Sequence, residues 1–217
     1  MLTTQTFDHR YLPAKDPGDR TRLLIVLHGL GDSLRGFSFL PEALKIDNLS
    51  YLFLNAPDPY YGGFSWYDFQ GDSKTGIRRS RELLLKLLAE LKEQGVAARD
   101  TYLFGFSQGC LMVTDLGLRC PEVLGGICGV SGYPSFLEEY PAQFSPVARN
   151  QHFLITHGFQ DPVVPFEPSA RGFKQLQSLG IRIDYRTYEK DHTLLMEELN
   201  DIATWFRTRL AGLGTSA

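Results

Sequence analysis

The chain lacks a hydrophobic run long enough to cross a membrane. Its longest apolar runs are short, as in Leu23–Leu27, which has five residues. A membrane-spanning helix needs about 20 apolar residues. Residues 1–4 have neither the basic nor the apolar region of a signal peptide, and Leu2 stands where N-myristoylation requires a glycine. These absences predict a cytoplasmic protein without a membrane span.

An excess of positive charge is also lacking. The sequence has 22 Lys and Arg residues against 25 Asp and Glu residues, for a net charge of −3, and no basic block could neutralise a row of phosphates. We therefore expect no nucleic-acid partner. Cysteine is scarce too: Cys110, Cys120 and Cys128 are an odd number without C-x-x-C spacing, which argues against a disulfide framework and a zinc site. We expect three buried, reduced thiols and no metal.

What the sequence does contain is the composition of a globular domain. Hydrophobic residues make up 43% and charged residues 22% of the 217 residues, close to the average for folded domains. This length is sufficient for one substantial core, and no repeat, low-complexity tract or linker divides it. We expect residues 1–217 to form a single domain, and no feature specifies an oligomeric state.

Short β-rich runs alternate with helical patterns along the chain. Apolar stripes typical of helices that cover a sheet lie in residues 83–91 and 195–206. The alternation predicts an α/β fold with a mostly parallel central sheet and helices on both faces. Residues 181–187 alternate apolar and polar side chains, which predicts a half-exposed strand near the sheet edge. The β-rich runs are residues 23–27, 51–54, 101–104, 127–130 and 153–156.

Two stretches, residues 56–75 and 133–150, lack a regular pattern. The first is rich in aromatic residues, and these rings must be buried against something. Either the loop folds onto its own sheet, or it forms a wall of a substrate pocket, since such pockets are mostly apolar. For the second alternative the candidate substrate-binding residues are Tyr61, Phe64 and Trp66.

One serine has the context of a catalytic nucleophile. Gly-Phe-Ser occurs three times, but only Gly105-Phe106-Ser107-Gln108-Gly109 completes the pattern G-x-S-x-G. The bare pattern is weak, because this sequence has 21 glycines. Its position after the apolar residues 102–104 and before the helix-compatible residues 110–118 is typical of a nucleophile elbow. Ser107 would need a base within hydrogen-bonding reach and an acid that orients the base.

The base is sought among five histidines. In the chain order Ser, acid, His of this arrangement, only His152, His157 and His192 follow Ser107. His192 alone follows a plausible acid and lies in a loop between a predicted strand and a predicted helix. We therefore predict that His192 is the base, the alternative being an ordinary histidine at the start of a helix.

The acid has three candidates. Asp161 lies in a loop after the predicted strand 153–156, between the serine and the histidine in sequence. Asp184 alternates with arginines on the solvated side of a strand, and Asp191 is adjacent to His192, so their side chains should diverge. Asp161 is the predicted acid.

Acyl transfer also needs donors for the oxyanion. The predicted donors are the backbone N–H groups of Gln108, after the nucleophile, and of Leu30, in the glycine-rich loop after residues 23–27. The alternative for this loop, a dinucleotide-binding turn, fails because Leu34 stands where a third glycine is required. We expect His28 and Asp32 to hold the loop through hydrogen bonds.

These motifs together resemble the phospholipase/carboxylesterase family of α/β-hydrolases, which includes acyl-protein thioesterases and small carboxylesterases. The resemblance implies an α/β-hydrolase fold, a triad of Ser107, Asp161 and His192, an oxyanion hole formed by Leu30 and Gln108, and no cofactor or metal. The matching segments span almost the whole chain: residues 27–32 and 65–68, Gly105-Phe106-Ser107-Gln108-Gly109, His157-Gly158 with Asp161 and Val164-Pro165, and Asp191-His192.

The resulting hypothesis is a serine carboxylesterase for short- to medium-chain acyl esters. Only about twenty residues separate the second predicted strand from the helix near Ile77, so we expect no large lid domain and a shallow pocket for a small-molecule ester. The alternative is an acyl-protein thioesterase or lysophospholipase for long acyl chains, in which the partner could be an acylated protein. A third hypothesis is a catalytically silent hydrolase fold that only binds ligands.

Overall fold

A computed structural model describes residues 2–212 of the chain, and one main sheet organises them. Seven strands form this sheet in the order β1-β3-β2-β6-β7-β8-β9. Strand β1 runs antiparallel to β3, and all other pairs are parallel. The strands in chain order are β1 His9–Leu12, β2 Leu23–Leu27, β3 Ser50–Leu54, β4 Asp58–Tyr60, β5 Gly63–Ser65, β6 Thr101–Phe106, β7 Gly126–Val130, β8 His152–Gly158 and β9 Arg182–Tyr188.

Helices cover both faces of the main sheet, as the sequence predicts. The buried side chains of α2, α3 and α4 join one apolar cluster, and those of α1 and α5 join a second cluster on the opposite face. The bounds are α1 Leu40–Leu44, α2 Ser73–Glu93, α3 Gln108–Arg119, α4 Phe166–Ser178 and α5 Met196–Gly212, with short 3-10 turns at Ala98–Asp100, Leu137–Glu139 and Ala148–Asn150.

The central strands are buried on both sides. In β2, Leu23, Ile25 and Leu27 face the first cluster, whereas Leu24 and Val26 face the second. Strand β9 lies at the sheet edge with an alternating burial pattern, which confirms the half-exposed edge strand that the sequence predicts.

The structure adds strands that the sequence analysis did not predict. Strand β1 has four residues, and β4 and β5 form a hairpin within the stretch that the sequence analysis left irregular. The hairpin turns at Tyr61 and Gly62, whose φ angles are 42° and 89°; positive φ at both central residues is characteristic of a tight two-residue turn.

Two expectations concern membranes and thiols. Within residues 2–212, no helix combines the length and the apolar character needed to cross a bilayer. Cys110, Cys120 and Cys128 are free and buried, which confirms the expectation that the three thiols are buried.

The carboxyl ends of the parallel strands bring the predicted site residues to one edge of the sheet. Strand β2 leads into residues 28–32, and β6 ends one residue before Ser107. Strand β8 leads to Asp161, and β9 leads to His192. This edge is where ligands bind in open α/β sheets.

Candidate active site

Ser107 stands on a strained turn between β6 and α3. Its φ angle is 55°, a left-handed value that is uncommon for a residue with a side chain. Its N–H donates to the carbonyl oxygen of Val130, at 2.9 Å. A Cβ at Gly105 would clash with the Gly109 carbonyl, and a Cβ at Gly109 would clash with the Leu27 carbonyl. Both flanking positions therefore require glycine, as a nucleophile elbow does.

The loop after β2 comes into contact distance of Ser107. A Cβ placed on Gly29 would lie 3.3 Å from the Ser107 Cβ. Gln108 is the first residue of α3, so its N–H has no partner within the helix. Across residues 2–212, neither the Leu30 N–H nor the Gln108 N–H donates to another protein group. Both N–H groups therefore keep their capacity to donate a hydrogen bond to another acceptor.

The side chain of Gln108 has a role that the sequence analysis missed. Its Oε1 accepts the Trp66 N–H at 3.0 Å, and its Nε2 donates to the Tyr67 carbonyl at 3.0 Å. The buried amide thus fixes α3 to the segment after the hairpin. A polar side chain at the buried start of a helix was the only signal for this role.

The prediction that Trp66 binds substrate is wrong. Its side chain is 0% exposed and packs with ring centroids 5.8 Å from Phe7 and 5.7 Å from His28. The indole Nε1–H donates to the His28 carbonyl, at 2.9 Å. No part of the Trp66 side chain reaches the surface. Through its hydrogen bond to the His28 carbonyl, it supports the loop after β2.

Tyr61 and Phe64 occupy different positions on the hairpin. Tyr61 is 95% exposed at the turn, and Phe64 is half-buried. The Phe64 N–H donates to the Asp32 carbonyl at 2.8 Å, and its carbonyl accepts the Gly31 N–H at 2.9 Å. The hairpin thus braces the loop that carries Leu30.

His28 has the structural role that the sequence predicts. Its Nε2 accepts the Ala56 N–H at 3.1 Å, which leaves Nδ1 to donate to the Gly29 carbonyl at 2.6 Å. Burial lowers the pKa of His28, so the ring stays neutral and can make both contacts. Asp32 accepts the Ser33 N–H at 2.7 Å, which also fits the expected role.

Asp161 and His192 form a direct hydrogen bond. The Asp161 Oδ2 lies 2.7 Å from the His192 Nδ1, and the other carboxylate oxygen accepts the N–H groups of Val163 and Val164 at 2.9 and 2.8 Å. Burial raises the pKa of Asp161, but these hydrogen bonds outweigh burial and hold the pKa below its ordinary value. The carboxylate therefore stays charged and can hold a proton on Nδ1, which leaves Nε2 free to act as a base.

The competing acid lies elsewhere. Asp184 pairs with Arg186 at 2.6 Å on the outer strand β9, and both side chains are solvent-accessible. Within residues 2–212, Asp184 makes no hydrogen bond or ion pair with His192.

His192 lies beside the elbow. Its ring centroid is 4.8 Å from that of Phe106, the residue before Ser107, and its side chain is 16% exposed. In the described part of the chain no hydrogen bond joins His192 to the Ser107 hydroxyl. Contacts of this kind are often long before substrate binds.

A second histidine, His157, lies behind Asp161 and was not predicted to contribute. Its fully buried ring has Nε2 at 2.9 Å from the Val164 carbonyl and 3.5 Å from Asp161 Oδ2, and Nδ1 at 3.1 Å from the Ser169 hydroxyl. Burial lowers the pKa of His157. A neutral His157 therefore buttresses the Asp161 loop.

Two shallow depressions lie in the loops at the carboxyl edge of the sheet. One, of about 270 Å³, is lined by the hairpin and by Tyr67, and the other, of about 250 Å³, by Tyr133 and the segment after Asp161. The Tyr67 and Tyr133 hydroxyls are 3.4 Å apart. This pair of tyrosines therefore connects the two depressions.

Exposed large apolar side chains occur in the loops at the same edge. Within residues 2–212, such side chains lie in the connections that follow the carboxyl ends of the main-sheet strands, or at the start of the next helix. They are Phe39, Tyr61, Phe69, Tyr133, Phe159, Val163 and Met196.

Comparisons with known proteins show the family of this chain. A sequence model of the Phospholipase/Carboxylesterase family matches residues 14–210. Acyl-protein thioesterase 1 of Schizosaccharomyces pombe is 32% identical over 192 residues, which cover 82% of this chain and 86% of the relative. Acyl-protein thioesterase 1 of Yarrowia lipolytica is 31% identical, with 92% of this chain and 96% of the relative covered.

A solved structure shows the same fold. The crystal structure of esterase PE8 superposes with a TM-score of 0.83 at 29% identity, covering 93% of this chain and 98% of that one. This likeness confirms the predicted α/β-hydrolase fold. The chain belongs to the phospholipase/carboxylesterase family and is an ester hydrolase.

Proposed function

We propose that the protein is a serine carboxylesterase with Ser107 as nucleophile, His192 as general base and Asp161 as the residue that orients the base. The observation that carries this proposal is the 2.7 Å contact between Asp161 and His192 beside a serine held at a φ angle of 55°. A charged carboxylate on Nδ1 fixes the tautomer in which Nε2 can accept a proton.

The reaction uses protein groups and water alone. The Ser107 Oγ attacks the acyl carbonyl while His192 takes its proton, and the negative charge on the carbonyl oxygen is met by the N–H groups of Leu30 and Gln108. Collapse of this intermediate expels the alcohol or thiol, which receives the proton from His192. Water, deprotonated by His192, then attacks the acyl-enzyme and releases the acid and free Ser107.

The substrate class that we propose is short- to medium-chain acyl esters. The two depressions in the loops at this edge of the sheet, about 270 and 250 Å³, are smaller than the roughly 300 to 1,000 Å³ of a typical ligand pocket. Each buried methylene contributes about 0.8 kcal/mol, so an acyl chain gains affinity only until it outgrows the pocket. Tyr61 and Phe64 are the proposed substrate contacts on the hairpin side.

A series of p-nitrophenyl esters from acetate to palmitate tests this substrate class. We expect kcat/KM to rise over the first few carbons and then to level or fall, with no turnover by Ser107→Ala. Steady improvement out to palmitate would contradict the proposal.

The second candidate function is removal of long acyl chains from protein cysteines or lysophospholipids. Two relatives at 31 to 32% identity are named acyl-protein thioesterase 1, and the exposed apolar side chains around the site offer surface to a long chain. A palmitoylated peptide thioester, compared with a butyryl thioester of the same peptide, separates the two functions. Faster hydrolysis of the palmitoyl substrate would favour this candidate.

A further inference from the structure

We propose that Lys190 is a positioning residue for the base: its buried ammonium, paired with Glu198, fixes the loop that carries His192. This inference rests on the proposed function, because it assigns Lys190 a role that acts through His192. Lys190 and Glu198 are both 0% exposed, and neither is a member of the proposed triad or oxyanion hole.

Four oxygens surround the Lys190 ammonium. Two belong to the Glu198 carboxylate, at 2.6 and 2.7 Å from Nζ. The third is the carbonyl oxygen of Thr193, at 2.8 Å, and the fourth is the Ser131 hydroxyl, at 3.3 Å. The ammonium has three protons to donate, so its donors are fully used.

These contacts hold the His192 loop on its carboxyl-terminal side. Thr193 directly follows His192, and the Lys190 ammonium holds its carbonyl. Glu198 accepts the N–H of Leu195 at 3.2 Å. The ion pair therefore fixes the first three residues after His192 against the start of α5.

The backbone of Lys190 holds the loop on its other side. The Lys190 carbonyl accepts the Gln160 N–H at 3.1 Å, and the Lys190 N–H donates to the Tyr188 carbonyl at 3.0 Å. A Cβ at Gly158 would clash with the Lys190 carbonyl, so the loop lies directly on the end of β8. His192 is thus held between two anchored points, and both of them involve Lys190.

The contact with Ser131 connects the base loop to the nucleophile. Ser131 is fully buried with a φ angle of 51°, and it follows Val130, whose carbonyl accepts the Ser107 N–H. Lys190 therefore joins the loop of His192 to the strand end on which Ser107 is hydrogen-bonded. Displacement of this lysine would change the separation of the base and the nucleophile.

Stability alone does not account for a buried ion pair. Apolar residues of similar volume often stabilise a fold as well as a buried pair does, whereas loss of one partner leaves an uncompensated charge. An apolar pair could fill this space, but it could not donate to the Thr193 carbonyl. The property that only the lysine supplies is the placement of the residue after His192.

The first experiment replaces both charges together. Lys190→Met/Glu198→Met removes the pair without leaving a lone charge, and we expect a folded protein whose kcat falls by about 10²-fold, the effect of misplacing a catalytic group by about 1 Å, with KM little changed. Steady-state kinetics on p-nitrophenyl butyrate and thermal unfolding measure the two effects. A folded double variant with unchanged kcat would overturn the proposal.

A milder variant with a matched control keeps the test independent of folding. Glu198→Gln preserves the side-chain volume, and Asp115→Asn makes the same chemical change in a second fully buried carboxylate, which pairs with Arg119 and Arg81 on α3 and α2. We expect both variants to lose stability but only Glu198→Gln to lose kcat, by about tenfold or more. Equal losses of kcat in the two variants would show a general effect of stability and would overturn the proposal.

The His192→Ala background separates this inference from the proposed function. If Lys190 acts through His192, Lys190→Met/Glu198→Met should reduce the residual activity of His192→Ala by less than about twofold. If the double substitution lowers the activity of His192→Ala by the same factor as it lowers the activity of the parent protein, Lys190 acts elsewhere. Full activity of His192→Ala alone would instead refute the proposed function, whereas an inactive His192→Ala with fully active Lys190 variants would refute only the role of Lys190.

Discussion

The two oxygens of the Asp161 carboxylate have separate tasks. Oδ1 accepts two backbone N–H groups of its own loop, and Oδ2 contacts His192. We expect Asp161→Asn to keep the fold but to lower kcat by about 10³- to 10⁴-fold, since an amide N–H facing Nδ1 favours the wrong tautomer. Ester turnover together with circular dichroism checks this expectation.

Asp184→Asn is the control for that substitution. Asp184 pairs with Arg186 on the solvent-accessible side of β9, and surface pairs contribute about 0 to 1 kcal/mol. Its kcat should stay near that of the parent protein. A large loss from Asp184→Asn with a small loss from Asp161→Asn would reverse the assignment of the acid.

The two aromatic residues Trp66 and Tyr61 should respond differently to truncation. Trp66 is fully buried, so Trp66→Ala should lose about 3 to 5 kcal/mol of unfolding free energy. Tyr61 is exposed at the hairpin turn, so Tyr61→Ala should leave stability within about 0.5 kcal/mol and alter acyl-chain preference instead. Urea unfolding and the ester series measure both effects. A stable Trp66→Ala variant with altered preference would restore Trp66 as a pocket wall.

Residue-scale prediction of the catalytic residues rests on chain order and local context. Ser107, Asp161 and His192 follow one another in a fixed order after recognisable strands, and the structure brings the last two into contact. Trp66 was misassigned because its side chain is buried against Phe7 and His28. Phe7 precedes Trp66 by 59 positions in the sequence. No local pattern reports such contacts.

At the scale of elements, the β4–β5 hairpin and the loop after β2 act together. A Cβ at Gly63 would clash with the Gly31 carbonyl, so Gly63→Ala should displace the loop that holds the Leu30 N–H. Loss of one oxyanion donor lowers kcat by about 10²- to 10³-fold, and we expect a loss near the lower figure.

Asp184→Asn, on the solvent-accessible side of β9, also serves as the control for the hairpin glycine. Its kcat should equal that of the parent protein. If Gly63→Ala keeps full activity while folded, the hairpin does not position the oxyanion donor. Kinetics of both variants on one short ester decide the matter.

The elements that the sequence predicts are long or strongly patterned. Helix α2, with 21 residues and a buried stripe, and the fully apolar β2 need no tertiary context to be recognised. Strands β1, β4 and β5 have only three or four residues. Strand β1 pairs with the distant β3, and β4 and β5 pair with each other in a hairpin that is hydrogen-bonded to residues 31 and 32. Short strands without alternation are therefore found only once the fold is known.

At the scale of the whole molecule, buried histidines make stability depend on pH. Burial lowers the pKa of both His28 and His157, whereas in the unfolded chain each titrates near about 6.5. Below that pH the unfolded state binds more protons, so the free energy of unfolding falls as pH falls, by up to about 1.4 kcal/mol per pH unit for each histidine.

Urea unfolding at pH 7 and pH 5 measures this dependence. We expect lower stability at pH 5, and a shallower slope in His157→Gln than in the parent protein. His152 acts in the same direction, because burial lowers its pKa as well, whereas Asp161, with its lowered pKa, acts at more acidic pH. Stability that rises on acidification from pH 7 to pH 5 would contradict the neutral, buried state of these rings.

The central claim is that one serine at the carboxyl edge of the sheet performs the chemistry. Labelling with a fluorophosphonate, followed by mass spectrometry of the labelled peptide, tests it most directly. We predict a single modification on Ser107, absent in Ser107→Ala and strongly slowed in His192→Ala. Modification of Ser38, Ser65 or Ser131 instead, or undiminished labelling of Ser107→Ala, would contradict the account.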